Sequence, residues 1–333
     1  MTGVENRKVA DGEGDQRLDR WFKQHYPNLP FGKLAKLLRT GQIRVDGKRA
    51  KNSTRLEAGQ IVRIPPLEAG DLGKGDAPTV RDTPRVISKA DQRIILDLQA
   101  AVLFKDDWVL AINKPAGLAV QGGTKQNRHV DALLDHLRFD ASERPRLVHR
   151  LDKDTSGVLL LARSAAAARS LAAVFRGKDA EKTYWAIVVG LPRPNEGRIE
   201  AALTKGAVPN AAGQGNERVW IDPEEGQRAV TLYRTLDHAG KKAALLELQP
   251  ITGRTHQLRA HCAGLGTPIL GDGKYGGADA YIEGMTLPRR MHLHARDISL
   301  PHPSGTGSLL RIHAPLSAHM VESLGLLGLD GTS

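Results

Sequence analysis

The sequence predicts an α+β protein in which a small α/β module precedes a larger domain built on a mixed, largely antiparallel sheet with flanking helices. Two observations support this prediction. Residues 15–66 combine two short amphipathic segments with paired strand patterns. From about residue 100 onward, apolar runs of the length of buried strands alternate with helical segments that end at glycine.

Changes in composition set the predicted boundaries. The stretch that begins "LEAGDLGKGDAPTVRDTPRV" is rich in Gly, Pro and Asp and lacks sustained periodicity, which is typical of a flexible linker. We therefore expect five segments: a disordered N-terminus over 1–14, the small module over 15–66, a linker over 67–95, the larger domain over 96–325 and a tail over 326–333.

The helices and strands of the small module can be predicted in order. Leu18, Trp21, Phe22 and His25 recur at helical spacing, and "FGKLAKLLRTG" places three leucines on one stripe of a second helix that ends at Gly41. "IRVDGKRA" then predicts a strand, an Asp-Gly turn and a strand, and "GQIVRIP" predicts one more strand.

Composition limits the classes of function. The chain of 333 residues has 48 Lys and Arg against 37 Asp and Glu, a net charge of +11, which suits either a polyanionic partner or a solvated basic surface. The single cysteine, Cys262, excludes an internal disulfide framework. The sequence has no apolar run of membrane-spanning length and no apolar signal-peptide core, so we expect a cytoplasmic protein.

The positive charge is concentrated in the small module. Between residues 33 and 55 there are eight basic residues and one acidic residue. We call these eight the basic cluster: Lys33, Lys36, Arg39, Arg44, Lys48, Arg49, Lys51 and Arg55. Such a cluster matches what binding to a phosphate backbone requires. The alternative is a merely solubilising face.

The stretch "RLDRWF", followed by "LAKLLRTGQIRVDGKRAKNSTRLEAGQIVRIP", also resembles the S-four-type module of a small-subunit ribosomal protein. That resemblance implies structured RNA as the ligand.

In the larger domain, five apolar stretches predict strands: two within "VLFKDDWVLAINKPAGLAV", then "GVLLLAR", "KTYWAIVVG" and "KAALLELQPI". "SAAAARSLAAVFRG" and "THQLRAHCAGLG" predict helices, and "TKGAVPNAAGQGNERVWIDPEEGQ" a hairpin with an extended loop.

Acidic residues in "HRLDKDTSG" allow more than one interpretation. Asp152 and Asp154, with Thr155, have the spacing found in magnesium-dependent phosphatases of the haloacid dehalogenase type. The residues ahead of Asp152 are unsuited to the buried parallel strand that such an enzyme requires. A second interpretation is a weak surface ion pair on a loop.

Two further segments carry side chains that could bind a substrate or take part in a reaction. "GRTHQLRAH" carries Arg254, His256, Arg259 and His261 in one turn-and-helix segment, and "EKTYWAIVVG" places Tyr184 near the start of a strand. Two histidines five residues apart do not face one metal ion, so a zinc site is not expected.

Together these blocks resemble a known family. "HRLDKDTSGVLLLAR", "EKTYWAIVVG", "ITGRTHQLRAHCAGLGTPILGDGKYG" and "NKPAGLAVQGG" are similar to the sequence blocks of the RluA-type pseudouridine synthases, and they cover residues 100 to about 315. With the attached module, the whole chain resembles the RluC subfamily, whose domain order RluD-like members share. The resemblance implies an isomerase that converts specific uridines of large-subunit ribosomal RNA to pseudouridine, without a metal or organic cofactor and as a monomer.

The resemblance also implies roles for residues. Asp152 is the essential carboxylate, acting either on the ribose anomeric carbon or on the 2′ proton. Arg259 pairs with it, Tyr184 stacks on the uracil, and Arg150 fills the gap left by the extruded base. Contacts with RNA are expected from Arg254, His256, Lys33, Lys36, Arg39, Arg44, Lys48, Arg49 and Lys51. A non-catalytic RNA-binding assembly factor remains the main alternative.

Overall fold

The computed structural model describes residues 3–67, 88–122, 128–177, 179–209 and 215–331. The chain divides into two compact units, Met1–Val86 and Ile87–Ser333. In the part of the chain that is described, no helix combines the length and apolar character that crossing a membrane demands.

The first unit packs two helices against a four-stranded antiparallel sheet of order β1-β4-β2-β3. Its elements are β1 (Glu5–Lys8), α1 (Leu18–His25), α2 (Phe31–Arg39), β2 (Arg44–Val45), β3 (Lys48–Arg49) and β4 (Ile61–Ile64). Leu18, Trp21 and Phe22 are at most 1% exposed and form the centre of its core. The predicted hairpin is confirmed: Asp46 and Gly47 join β2 to β3 with φ of 46° and 74°, the backbone that an Asp-Gly turn favours.

The structure corrects the predicted disorder of residues 1–14, for those residues that it describes. β1 pairs in register with β4, and a short 3-10 helix spans Asp11–Glu13. The Glu13 carboxylate accepts a hydrogen bond from Trp21 Nε1 at 2.9 Å and lies 2.7 Å from His25 Nε2. The strand is polar in sequence because backbone bonding to β4, rather than apolar burial, holds it in place.

The second unit contains the remaining elements. Its helices are α3 (Lys89–Ala100), α4 (Val130–Leu133), α5 (Ala165–Gly177), α6 (Gln257–Gly264) and α7 (Ala318–Leu327). Its strands are β5 (Val102–Lys105), β6 (Val109–Lys114), β7 (Arg146–Leu147), β8 (Ser156–Ala162), β9 (Glu181–Val189), β10 (Glu196–Pro209), β11 (Gly215–Ile221), β12 (Gln227–Ala239), β13 (Ala243–Pro250), β14 (Leu293–Pro301) and β15 (Leu309–His313).

These strands form one mixed sheet of order β11-β10-β12-β13-β9-β14-β8-β6-β5, with β15 paired to β14 and β7 to β8. Every pairing described in it is antiparallel except that of β8 with β14. The predicted α+β class and largely antiparallel sheet are thus confirmed. The predicted hairpin corresponds to β10 and β11; residues 210–214 between these strands lie outside the described residues.

Two predicted boundaries need correction. Residues 68–87 of the linker lie outside the described residues, but α3 begins at Lys89, where the Ser88 hydroxyl accepts a hydrogen bond from the Asp91 amide at 3.1 Å. The predicted tail is also too long, because α7 continues to Leu327 and Leu329 is buried in a core cluster. The start of α3 is defined by this local cap, whereas the C-terminal end is held by packing against residues that lie far away in sequence, among them Trp185 and Leu245.

The parallel pairing of β8 with β14 positions the loop that precedes β8. Gly157 has a φ of +107°, and a Cβ atom there would lie 2.1 Å from the Ala295 carbonyl oxygen. Only glycine permits so close an approach with this backbone. The two strands therefore meet at this point, and β9 runs along the other edge of β14 with Tyr184 opposite Ala295.

Candidate active site

A cleft of about 660 Å³ opens on the second unit, and Asp152 lines it. Asp152 lies in the loop ahead of β8, and its side chain is 28% exposed. Its carbonyl accepts a hydrogen bond from the Thr155 amide at 3.2 Å, and Thr155 itself is buried. The loop thus turns tightly into β8 and leaves the carboxylate facing the cleft.

Lys114, at the end of β6, holds this loop from below. The side chain is completely buried, and Nζ donates to the carbonyl oxygens of Pro115 and Leu118 at 2.8 Å and of Lys153 at 3.1 Å. Burial lowers the pKa of Lys114 to about 7, although the charges of Asp154 and Asp152 favour the ammonium form. Lys114 therefore orders the loop, because its ammonium group donates to three backbone carbonyls.

Arg259, on α6, approaches the carboxylate from the other side. Its Nη1 lies 3.7 Å from Asp152 Oδ2, while Nε and Nη2 donate to the two oxygens of buried Asp272 at 2.7 and 2.8 Å. The ring of Tyr275 lies beneath the guanidinium, 4.8 Å from ring centroid to Cζ. Burial opposes the charge of Arg259, but hydrogen bonding and charge from Asp272 outweigh it and raise the pKa of Arg259.

His256 completes the surroundings of Asp152. It precedes α6 in a left-handed conformation, with a φ of 51°, and its Nε2 lies 3.8 Å from Asp152 Oδ1. Nδ1 lies 2.7 Å from the Tyr275 hydroxyl. Burial lowers the pKa of His256, against the opposing influence of the Asp152 charge.

Tyr184 projects from β9 into the same cleft. Burial and the negative charge of Asp152 raise the pKa of Tyr184 well above its usual value, so the phenol is neutral at physiological pH. Leu258 and Leu293 also line the cleft and are buried. An aromatic face, a carboxylate and apolar walls together suit a flat heterocycle attached to a sugar.

The predicted RNA-binding arginines of this unit lie at the mouth of the cleft. Arg150 is exposed, and its Nη1 is 3.3 Å from Gln121 Oε1. Arg254 is exposed and donates from Nε to the Arg228 carbonyl at 3.3 Å. Below it, Gln257 is buried and accepts a hydrogen bond from the Arg254 amide at 3.0 Å, which fixes the turn before α6.

The structure brings together six of the predicted site residues at one cleft: Arg150, Asp152, Tyr184, Arg254, His256 and Arg259. The seven predicted lysines and arginines of the small module belong to the first unit. Six of them are exposed and Lys33 is half-buried. Lys36 and Arg39 lie on the exposed side of α2, while Lys48 and Arg49 form β3.

Sequence reasoning missed Asp272 and Tyr275 as members of the site. Both lie in "GDGKYGG", at the end of one of the blocks that carry the family resemblance. One sequence pattern could have indicated them: an acidic residue and a tyrosine lie three residues apart, shortly after a helix that carries an arginine on its buried side. Among the described residues, no group of three or more His, Cys, Asp or Glu side chains is arranged to hold a metal ion.

Comparison with known proteins agrees with this geometry. The family model described as RNA pseudouridylate synthase matches residues 108–264, a range that includes Asp152, Tyr184 and Arg259. Ribosomal large subunit pseudouridine synthase C of Vibrio cholerae serotype O1 is 35% identical over 97% of this chain and 96% of its own. The chain belongs to the RNA pseudouridylate synthase family. This pseudouridylate synthase is therefore an isomerase, and the predicted resemblance is confirmed.

Other relatives give the same result. The synthase C of Rickettsia conorii is 37% identical over 85% of this chain and 88% of its own. A solved structure of Human RNA Pseudouridylate Synthase Domain Containing 4 matches with a TM-score of 0.59 at 31% identity, covering 72% of this chain and 98% of that one. Membership in the pseudouridylate synthase family sets aside the phosphatase and the non-catalytic assembly factor as alternatives.

Proposed function

We propose that this pseudouridylate synthase isomerises specific uridines of large-subunit (23S) ribosomal RNA, with Asp152 as the reacting carboxylate. The observation that carries the proposal is the position of Asp152, in a cleft with Arg259 Nη1 at 3.7 Å and His256 Nε2 at 3.8 Å. The names of the relatives from Vibrio cholerae and Rickettsia conorii support the choice of large-subunit RNA as substrate.

The reaction breaks the bond from uracil nitrogen 1 to the ribose anomeric carbon and forms a new bond from carbon 5 to that carbon. Carbon 5 loses its proton to water and nitrogen 1 gains a proton from water, so the product is an isomer of the substrate. Asp152 either attacks the anomeric carbon, as a retaining glycosidase does, or removes the 2′ proton to give a glycal. Both routes require an ionised carboxylate. The guanidinium of Arg259 faces this carboxylate, with Nη1 3.7 Å from Oδ2, and places a hydrogen-bond donor beside it.

Tyr184 provides the surface on which uracil stacks and turns. Its neutral phenol donates a hydrogen bond more readily than it removes a proton, because burial disfavours the phenolate. Tyr184 thus contributes to the loss of the carbon 5 proton by orienting the uracil ring.

Access requires that the uridine leave its helix, because the anomeric carbon is enclosed in a stacked and paired nucleotide. Arg150 is exposed at the mouth of the cleft and would occupy the gap left behind, and Arg254 would contact the strand. Lys33, Lys36, Arg39, Arg44, Lys48, Arg49 and Lys51 would bind the RNA backbone elsewhere on the substrate. The enzyme would act in the cytoplasm as a monomer.

The test is release of tritium from large-subunit ribosomal RNA labelled at uridine carbon 5, with purified protein in excess EDTA and no added cofactor. Tritium release together with new pseudouridine is the expected result. If neither free RNA nor an assembly intermediate releases tritium, the proposed function is wrong.

A further inference from the structure

The two ring nitrogens of His256 have different partners. Nδ1 lies 2.7 Å from the Tyr275 hydroxyl, and Nε2 lies 3.8 Å from Asp152 Oδ1. The same hydroxyl accepts a hydrogen bond from the Val219 amide of β11 at 3.1 Å. His256 and Tyr275 therefore link the backbone of β11, an edge strand of the sheet, to the carboxylate in the cleft.

Counting the protons along this series of hydrogen-bonded groups assigns the tautomer of His256. The hydroxyl of Tyr275 has one proton to donate and already accepts one bond from Val219. If that proton goes to Nδ1, the neutral imidazole carries its own proton on Nε2. The opposite tautomer would turn a bare Nε2 lone pair toward the Asp152 carboxylate, which has only acceptor atoms and would be repelled.

We propose that His256 is a positioning residue that presents an Nε2–H donor to Asp152, and that Tyr275 sets its tautomer. The inference rests on the proposed role of Asp152. Arg259 Nη1 faces Oδ2 and His256 Nε2 faces Oδ1, so each carboxylate oxygen has its own donor. Two donors on separate oxygens orient the plane of the carboxylate.

The distances place this arrangement just outside hydrogen-bond range. A shift of about 1 Å by the Asp152 side chain would bring either oxygen into contact with its donor. Such loosening is common in the absence of substrate, and contacts of this kind tighten when substrate binds. The left-handed backbone of His256 agrees with a positioning role, because backbone strain is found where surrounding structure demands one orientation.

Three variants separate this proposal from a purely structural role. His256→Asn can still accept a bond from Tyr275 but cannot reach Asp152, whereas His256→Gln places an amide donor near the position of Nε2. Tyr275→Phe removes the hydroxyl alone. His238→Gln, at an exposed histidine of the same unit, is the matched control.

We expect kcat for tritium release to fall about 10-fold in His256→Asn, with KM nearly unchanged, and most of that loss to be recovered in His256→Gln. Tyr275→Phe should lower kcat about 3-fold or more, because the imidazole then populates both tautomers. His238→Gln should match the parent enzyme. Equal kcat in the parent and His256→Asn would overturn the proposal.

The tautomer can be read without activity, by two-bond proton–nitrogen correlation NMR of protein labelled with nitrogen-15 histidine. The His256 signals are identified by their loss in His256→Asn. The parent should show protonated Nε2 and unprotonated Nδ1, and Tyr275→Phe should show a mixture. Protonated Nδ1 in the parent would overturn the inference even in an active enzyme. Lack of activity in the parent would count against the proposed function instead.

Discussion

Arg259 donates hydrogen bonds from Nε and Nη2 to both carboxylate oxygens of Asp272, at 2.7 and 2.8 Å, and both residues are buried. This bidentate pair fixes the plane of the guanidinium and leaves Nη1 toward Asp152. Asp272 therefore acts on the cleft through Arg259, although it does not line the cleft itself.

Asp272→Asn should both destabilise the protein and slow catalysis. The buried charge of Arg259 would lose its counterion, at a cost of about 3 kcal/mol, which lowers Tm by about 6 to 12 °C. We expect kcat to fall at least about 10-fold, because Nη1 is no longer held toward Asp152. Thermal melts and tritium release measure the two effects. The control is Glu247→Gln, which breaks a more exposed pair with Arg234 and should cost about 1 kcal/mol or less. Similar losses in both variants would contradict this account.

Asp152→Asn should abolish isomerisation and leave RNA binding intact. The amide has the same size as the carboxylate but can neither attack the anomeric carbon nor accept the 2′ proton, so kcat should fall about 10³-fold or more. Tritium release and a filter-binding assay on the same RNA test the two halves. Asp107→Asn, at an exposed aspartate outside the cleft, should behave as the parent protein. Near-normal activity in Asp152→Asn would remove this residue from the mechanism.

The stability of the second unit should fall as pH drops from about 6.5 toward 4. His261, His292 and His294 are fully buried, and burial lowers the pKa of each to about 4. The unfolded chain takes up these protons below its ordinary histidine pKa of about 6.5, whereas the folded chain does not. Unfolding is thus favoured by about 1.4 kcal/mol per pH unit for each histidine across this window.

Urea unfolding at pH 7.5, 6.0 and 5.0 gives that slope. In His261→Gln, the slope of unfolding free energy against pH should be smaller by the contribution of one histidine, about 1.4 kcal/mol per pH unit. In His238→Gln, a variant at an exposed site, the slope should be unchanged. A slope that His261→Gln leaves unaltered would show that His261 does not titrate in this way.

The basic cluster should determine how RNA affinity depends on salt. Lys36 and Arg39 are exposed on α2, so replacing both by alanine should weaken binding to all RNA sequences alike. The slope of log K against log salt should become shallower by about 1.4 to 1.8, because each of the two lost phosphate contacts removes about 0.7 to 0.9. The matched variant replaces Arg20 and Lys23, exposed on α1 outside the cluster. Equal effects of the two variants would mean that the whole module binds RNA, without a defined cluster.

Local patterns predicted much of this fold. The Asp46-Gly47 turn needs only its own two residues to favour a hairpin, and the aliphatic run of β8 is recognisable as a buried strand. β1 was not predicted, because a polar strand at a sheet edge has no apolar alternation to detect. The start of α3 was also missed, because its cap at Ser88 follows a stretch rich in Gly, Pro and Asp.

By itself, the sequence determined the types of most elements, the family, and the candidates Asp152, Tyr184 and Arg259, because short-range propensity and motif spacing are properties of contiguous residues. The tertiary structure decided which groups surround the carboxylate. Lys114 reaches three carbonyls, Arg259 takes Asp272 as its bidentate partner, and His256 joins Tyr275 to Asp152. These contacts join segments that lie far apart in sequence, since Asp152 and Arg259 are separated by more than a hundred residues of chain, and no local propensity encodes such a meeting.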